Sequence, residues 1–139
     1  TFVLGGQVAG EAPDIMLIYP EGNYIRASDD RPFLQIGETK YGKAWLDLAV
    51  RSNADLPTAA KVALSSMEST TIATLSVGPP YDLGIYERDS FRLLHARIDG
   101  DAPYLDRLRA AWAEHLLAAV DALPPVEPGE ITFMVPDSG

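Results

Sequence analysis

The sequence has 139 residues, 47% of them hydrophobic, and a formal net charge of −9 at pH 7. These values indicate one ordinary globular domain with a sizeable core and exclude a disordered chain. A nucleic-acid partner is not expected, because phosphate binding needs a basic surface and eleven Lys and Arg stand here against twenty acids.

The chain contains no cysteine, which excludes disulfides, thiolate metal sites and a cysteine nucleophile. This composition is compatible with a reducing cytoplasm. No stretch approaches the roughly 18 apolar residues that a membrane span needs, and no secretory signal pattern opens the chain. We therefore expect a cytoplasmic protein with no membrane partner.

The first third of the chain predicts short strands. Residues 2–4 form an apolar run that we expect to be a buried strand ending or bulging at Gly5 and Gly6. Residues 15–19 predict a second strand, closed by turn residues and extendable by residues 23–25, so that a hairpin results. Residues 33–36 predict a third short strand that ends at the next glycine.

Two helices are predicted next. The first has apolar residues at helical spacing from Tyr41 to Ala49. In the second, Asp55 is a suitable N-cap and Pro57 is tolerated in the first turn. The polar stretch 65–71 extends this helix. One apolar stripe is predicted along it, made of Leu56, Ala59, Ala60, Ala63, Leu64 and Met67.

A sharp corner follows the second helix. Gly78 and the pair Pro79-Pro80 stop a helix and cannot lie inside a central strand. Ser76 places a hydroxyl at this junction. The corner is either a rigid turn only or, as loops between regular elements often are, a functional position.

A second hairpin and a last helix complete the pattern. Strands are predicted on either side of the polar turn 87–90, and the second of them begins at Phe91. A helix is predicted over residues 103–123. The helix has one apolar stripe: Leu105, Leu108, Trp112, Leu116, Ala119, Val120 and Leu123. In the Pro- and Gly-rich tail, residues 131–135 either add a strand to a neighbouring sheet edge or lie on the surface.

Strands and helices occur in blocks, which predicts antiparallel sheets with helices layered on them, an α+β or α/β/α arrangement. Motifs for catalysis are absent: there is no Gly-x-Gly-x-x-Gly, no phosphate-binding loop and no Gly-x-Ser-x-Gly. His95 and His115 have no His or Cys neighbour at metal-ligand spacing, so we interpret both as surface or boundary residues and expect no metal site.

Four stretches nevertheless resemble one family. They are residues 2–7 (FVLGGQ), 18–25 (IYPEGNYI), 34–43 (LQIGETKYGK) and the corner 75–90, which ends in YERDS. In this order they resemble the C-terminal half of a proteasome-type β-subunit, and more narrowly the bacterial Anbu group, the ancestral β-subunit or proteobacterial proteasome homologue.

The resemblance implies that the chain is part of an αββα four-layer N-terminal-nucleophile hydrolase sandwich. Residues 1–123 are then its C-terminal half and residues 124–139 a tail, and the family's first hairpins and first two helices have no counterpart. Thr1 is interpreted as the first residue of an interior strand rather than the nucleophile. The stretch that it opens resembles the middle strand, and no lysine precedes Lys40.

What the resemblance carries over is a supporting shell of three residues. Gly37 corresponds to a backbone position near the oxyanion of the nucleophile. Glu38 replaces a common serine; it either holds a protonated amine or is an acid in the first helical turn. Ser76 corresponds to a hydroxyl after the second helix, or it satisfies a free helix carbonyl. The family's acid three residues earlier would fall on Ala73.

Two functions follow from the resemblance. In the first, the parent protein is a self-compartmentalising amide or peptide hydrolase whose nucleophile lies in the missing N-terminal half. In the second, the chain is a non-catalytic assembly or scaffold subunit of a ring or spiral. Both imply a homo-oligomer and no cofactor, and the first implies a peptide or amide substrate.

Overall fold

A computed structural model describes residues 1–130, which form two antiparallel sheets and three helices. The tail stretch 131–135, predicted as an added strand or a surface segment, lies outside the described residues. The elements in chain order are β1 (Phe2–Gly6), β2 (Asp14–Ile18), β3 (Tyr24–Arg26), α1 (Lys43–Ala49), α2 (Leu56–Ala73), β4 (Tyr81–Tyr86), β5 (Leu93–Ile98) and α3 (Pro103–Asp121).

The first sheet has the order β1-β2-β3 and confirms the predicted hairpin and its extension. The predicted end of β1 at the glycines is confirmed: the strand ends at Gly6, opposite Asp14, and it has no bulge. The expectation that β1 is buried is wrong. Phe2 and Leu4 are about half exposed, since β1 has a neighbouring strand on one side only among residues 1–130.

The strand predicted over residues 33–36 does not form, and these residues lie in a loop between β3 and α1. Pro32 has no backbone N–H, and Gly37 turns the chain away with φ of +83°. Within the loop, the side-chain amide of Gln35 donates to the Glu38 carbonyl oxygen at 3.4 Å. A short apolar run becomes a strand only where a sheet edge is available to pair with it.

Helix α1 begins at Lys43, later than the sequence pattern suggested, and it packs closely on α2. Gly42, its N-cap, makes this approach possible. The Ser66 hydroxyl donates to the Gly42 carbonyl oxygen at 3.0 Å, and a Cβ on Gly42 would lie only 2.3 Å from that hydroxyl oxygen. The glycine is therefore required by a close approach of two helices.

Helix α2 begins as predicted. The carboxylate of Asp55 accepts a hydrogen bond from the Thr58 N–H at 2.8 Å, and Pro57 lies in the first turn. The side chain of Thr58, and after it this N–H, lowers the pKa of Asp55. The single apolar stripe is only partly right: Leu64 is buried, whereas Leu56 and Met67 are exposed.

The buried positions of α2 lie on two faces because the helix packs against two neighbours. Its buried residues are Val62, Leu64, Ser66, Glu68 and Thr70. Ser66 and Thr70 lie next to Gly42 at the start of α1. Leu64 and Glu68 contact the side that holds β4 and α3. Three of these five residues are polar, and hydrophobicity alone does not mark them as buried.

A compact apolar cluster joins α2, the β4–β5 hairpin and α3 through Leu64, Tyr81 and Leu105. Strand β5 begins at Leu93 and not at Phe91, because Phe91 adopts a left-handed backbone with φ of +49°. On α3, Trp112 packs on Trp45 of α1 with ring centroids 3.7 Å apart.

The predicted apolar stripe of α3 is buried only in its first part, among residues 1–130. Leu116, Val120 and Leu123 are 48%, 56% and 66% exposed. The α+β class with antiparallel sheets is confirmed. The four layers of the sandwich are not among the features seen in residues 1–130. No helix in this part of the chain is long and apolar enough to cross a membrane.

Candidate functional site

An open groove of about 960 Å³ lies between the two sheets. Its walls are formed by the end of β1 and the start of β2 on one side, and by the end of β4 and the start of β5 on the other. Its polar lining includes Gln7, Asp14, Ser28 and Tyr86. Apolar side chains also line it, namely Ile15, Leu56, Phe91 and Leu93.

Gln7 connects the two walls of the groove. Its side-chain oxygen, Oε1, accepts from the Tyr86 hydroxyl at 2.9 Å and from the Asp89 N–H at 2.8 Å. Its side-chain nitrogen, Nε2, donates to the Asp89 carboxylate and to the Glu11 backbone carbonyl oxygen. Three of these four hydrogen bonds hold the β4–β5 hairpin and its turn, where Asp89 has φ of +62°, against the end of β1. In the sequence, Gln7 was only part of a family-like stretch.

Gly37 and Glu38 lie together in the loop before α1. A Cβ on Gly37 would meet nothing within 4 Å, and no residue among 1–130 accepts a hydrogen bond from its amide. The Glu38 carboxylate accepts from the Lys40 N–H at 3.0 Å. The alternative interpretation of Glu38 as a first-turn helix acid is wrong, because α1 begins only at Lys43. For the same reason, Gly37 does not open the helix.

Ser76 lies three residues beyond the end of α2. Its hydroxyl shares a 2.9 Å hydrogen bond with the hydroxyl of Thr74, and its N–H also donates to that oxygen. The prediction that Ser76 satisfies a free helix carbonyl is therefore wrong. The cis bond between Pro79 and Pro80 follows, and the chain then enters β4.

The three residues of the supporting shell do not form one cluster within residues 1–130. No hydrogen bond or ion pair in this part of the chain joins Gly37, Glu38 or Ser76 to one another, and none of them lines the groove between the sheets. Residues 1–130 by themselves thus present one loop, with a carboxylate and a backbone amide that donates to none of these residues, and a separate corner with a hydroxyl.

A buried carboxylate that sequence analysis missed lies at the centre of a polar network between α2, β4 and α3. The side chain of Glu68 is 7% exposed; it accepts from the Tyr81 hydroxyl at 2.7 Å and pairs with the Arg109 guanidinium. That hydroxyl also contacts Thr71 Oγ1 at 2.7 Å. The hydrogen bond to Glu68 raises the pKa of Arg109, and burial raises the pKa of Tyr81 to about 12.

This network holds α3 against α2 and β4, and its role here is structural. Arg109 also contacts Asp106 one turn away, at 3.2 Å. A signal was present in the sequence: Glu68 is the one charged residue in the polar stretch 65–71. A buried acid needs a partner, which the sequence cannot identify at a separation of 41 positions.

Both histidines lie on the surface, as predicted. His95 is exposed and lies 3.3 Å from the Asp82 carboxylate across the β4–β5 hairpin, and Arg97 also approaches that carboxylate. His115 is exposed on α3. In residues 1–130, no group of three or more His, Asp or Glu side chains is arranged to hold a metal ion.

Comparison with known proteins gives a consistent result among solved structures. No family profile matches the chain, and no curated protein matches it. Anbu from Hyphomicrobium sp. strain MC1 is 48% identical, with a TM-score of 0.86 over 90% of this chain. Anbu (ancestral beta-subunit) from Yersinia bercovieri is 43% identical, with a TM-score of 0.85 over the same share.

A third structure, described as a helical assembly of the Anbu complex from Pseudomonas aeruginosa, is 40% identical over 93% of this chain, with a TM-score of 0.87. The chain spans 54% of the length of each of these three proteins. Identity of this level across nine-tenths of the chain, with the same backbone course, confirms the resemblance that the four sequence stretches indicated. The chain belongs to the Anbu group of proteasome-type β-subunits and spans about half the length of such a subunit.

Proposed function

We propose that this chain is part of a subunit of a self-compartmentalising, proteasome-like amide or peptide hydrolase. Its threonine nucleophile would lie in the part of the subunit outside this chain. The observation that carries the proposal is the 40–48% identity to Anbu proteins over 90% of this chain or more. The match covers only 54% of the length of each Anbu protein. Family membership is transferred by that identity, whereas the activity is inferred.

In this proposal the loop at Gly37 and Glu38 supports the reaction. A threonine hydroxyl attacks the carbonyl carbon, its proton moves to a nearby base, and negative charge develops on the carbonyl oxygen. The Gly37 amide, which donates to no acceptor among residues 1–130, is a suitable donor to that oxygen. The Glu38 carboxylate holds a protonated amine by charge. Ser76 adds a polar hydroxyl at the corner, and no cofactor is required.

The alternative function is a non-catalytic assembly subunit. Two observations favour it: the three supporting residues do not converge within the described part of the chain, and Ala73 stands at the position of the family's acid. One similar protein is described as a helical assembly, and we extend self-association to this chain in both proposals.

The first experiment is intact mass spectrometry of the purified gene product under denaturing conditions. A polypeptide, or a longer single chain, that begins with threonine and carries an early lysine supports the hydrolase. It should then gain the mass of a threonine-directed covalent inhibitor and release a fluorogenic peptide product. If the only species is the 15.0 kDa chain, the nucleophile is absent and the scaffold is supported.

If the purified protein hydrolyses the fluorogenic peptide, the variant Glu38→Gln tests whether the negative charge of Glu38 supports that reaction. The amide oxygen still accepts from Lys40, so that only the charge is lost. We expect kcat/KM to fall at least about tenfold, because a hydrogen bond to a charged group contributes about 1.5–3 kcal/mol. Glu130→Gln is the matched control, because Glu130 also accepts from a backbone N–H, that of Glu127, at 3.0 Å. Equal activity of the two variants would remove Glu38 from the site.

A further inference from the structure

The corner between α2 and β4 is fixed at both of its ends. At its start, Thr74 is the C-cap of α2, and its N–H donates to the Thr70 carbonyl oxygen at 2.9 Å. At its end, the Tyr81 side chain is buried, and its hydroxyl donates to the Glu68 carboxylate at 2.7 Å. Residues 75–80 therefore connect two anchored positions.

A proline near the second end packs against the turn before α3. A Cβ on Gly100 would lie 3.0 Å from Cγ of Pro79, so that the proline ring lies directly against the backbone of this turn. The Arg109 guanidinium donates to the carbonyl oxygen of the same glycine at 3.4 Å. The backbone of the corner is thus held by α2, β4 and α3.

Ser76 lies between these anchors, and it is exposed. Among residues 1–130 only Thr74 forms hydrogen bonds with it: the two hydroxyl oxygens lie 2.9 Å apart, and the Ser76 N–H donates to Thr74 Oγ1 at 3.3 Å. Ala73 has no polar side chain, and Leu75 is fully exposed. The direction of the Ser76 hydroxyl therefore depends on one threonine side chain, since a serine otherwise chooses among three staggered rotamers.

The chemistry of the pair favours Thr74 as the donor between the two hydroxyls. A hydroxyl has one hydrogen and two lone pairs. Thr74 is partly buried, its oxygen already accepts the Ser76 N–H, and its hydrogen has no acceptor other than Ser76 Oγ among residues 1–130. In this arrangement the exposed Ser76 keeps its own hydrogen and one lone pair for another group.

We propose that Thr74 is a positioning residue, which orients the Ser76 hydroxyl for the hydrolytic reaction. The inference rests on the proposed function, in which Ser76 supplies a polar hydroxyl at the corner. Thr74 contacts no reacting group and acts only through Ser76. Its side chain selects one rotamer of the serine, and the anchored backbone fixes the place at which that rotamer is presented.

The kinetics of Thr74→Val in the complete, active protein test the proposal. Valine has nearly the same shape and suits the extended backbone of residue 74, with φ of −148° and ψ of 140°, so that only the hydroxyl is lost. We expect kcat per inhibitor-titrated site to fall about three- to tenfold, with KM within about twofold of the parent, because one neutral hydrogen bond is lost.

Two further variants are the controls. Thr74→Ser keeps the hydroxyl and should restore kcat to within about twofold of the parent value. Thr58→Val makes the same change at the other end of α2, where the threonine is also partly buried but its side chain lies at the Asp55 cap, and it should leave kcat unchanged.

A double-variant cycle separates positioning from a general loss of structure. Ser76→Ala/Thr74→Val should be no slower than Ser76→Ala alone, because Thr74 then has no hydroxyl to orient. The inference is wrong if the two losses multiply, if Thr74→Val is as active as Thr58→Val, or if Thr74→Ser fails to restore kcat.

The outcomes also distinguish this inference from the proposed function. A parent protein that neither hydrolyses a peptide nor binds a threonine-directed inhibitor removes both. An active parent in which Ser76→Ala lowers kcat and Thr74→Val does not keeps the hydrolase and overturns the inference. An active parent in which Ser76→Ala has no effect also keeps the hydrolase, and it removes Ser76 and Thr74 together from the site.

Discussion

The ion pair between Glu68 and Arg109 gives the sharpest stability prediction. Arg109→Met removes the guanidinium and leaves a carboxylate of 7% exposure with only the Tyr81 hydroxyl. Breaking a fully buried pair costs about 3–5 kcal/mol. The Arg109 side chain is 37% exposed, so that water screens its side of the pair. We therefore expect a loss of about 2 kcal/mol of unfolding free energy.

The double variant Glu68→Leu/Arg109→Met should recover most of that loss, to within about 1 kcal/mol of the parent, because an apolar pair carries no desolvation cost. The Tyr81 hydroxyl keeps a partner in Thr71, at 2.7 Å. Asp106→Asn is the control: this carboxylate also contacts Arg109, but its side chain is 71% exposed, and its removal should cost under about 0.5 kcal/mol.

The assay is urea unfolding of the purified subunit, followed by far-ultraviolet circular dichroism and analysed for the midpoint at constant slope. The reasoning is refuted if Arg109→Met is no more destabilising than Asp106→Asn. It is equally refuted if the double variant is as unstable as the sum of its single variants, since the coupling between the two side chains would then be absent.

Three further predictions concern single positions. Gly42→Ala should strongly lower the unfolding midpoint, because the new Cβ would lie 2.3 Å from the Ser66 hydroxyl and 3.0 Å from that residue's carbonyl oxygen. Gly6→Ala is the control and should leave the midpoint unchanged, because a Cβ at Gly6 would meet no atom within 4 Å. Asp55→Ala should lower the midpoint more than Asp55→Asn, which keeps a cap; the contribution of the carboxylate charge is lost as pH falls through its lowered pKa. The pKa of Tyr81 is raised to about 12 in the folded protein. The stability that this shift contributes is complete below the unfolded pKa near 10 and is lost as the pH rises to about 12. Tyr81→Phe should therefore remove the part of the tyrosinate absorbance at 295 nm that appears at the highest pH. An unchanged alkaline titration in that variant would contradict the assignment.

Local signals were the reliable part of the sequence. The Asp55 cap, the proline in the first turn of α2, the two hairpins and the last helix were all predicted, because each depends on residues close together in the chain. The four family-like stretches predicted the Anbu group, which the structural comparisons confirmed. The Gly37, Glu38 and Ser76 assignments stay predictions, although the structure corrected the local alternatives for Glu38 and Ser76.

The sequence by itself determined the α+β class, both hairpins, the start of α2, the apolar stripe of α3 and the family resemblance. Only the tertiary structure decided which apolar positions are buried: Leu105 and Leu116 follow the same helical pattern, yet one is completely buried and the other 48% exposed. It alone joined Glu68 to Arg109 and Gln7 to Asp89, at separations of 41 and 82 positions. The physical reason is that periodicity fixes the direction of a side chain relative to its own helix or strand, whereas burial and pairing depend on what the rest of the chain places against it.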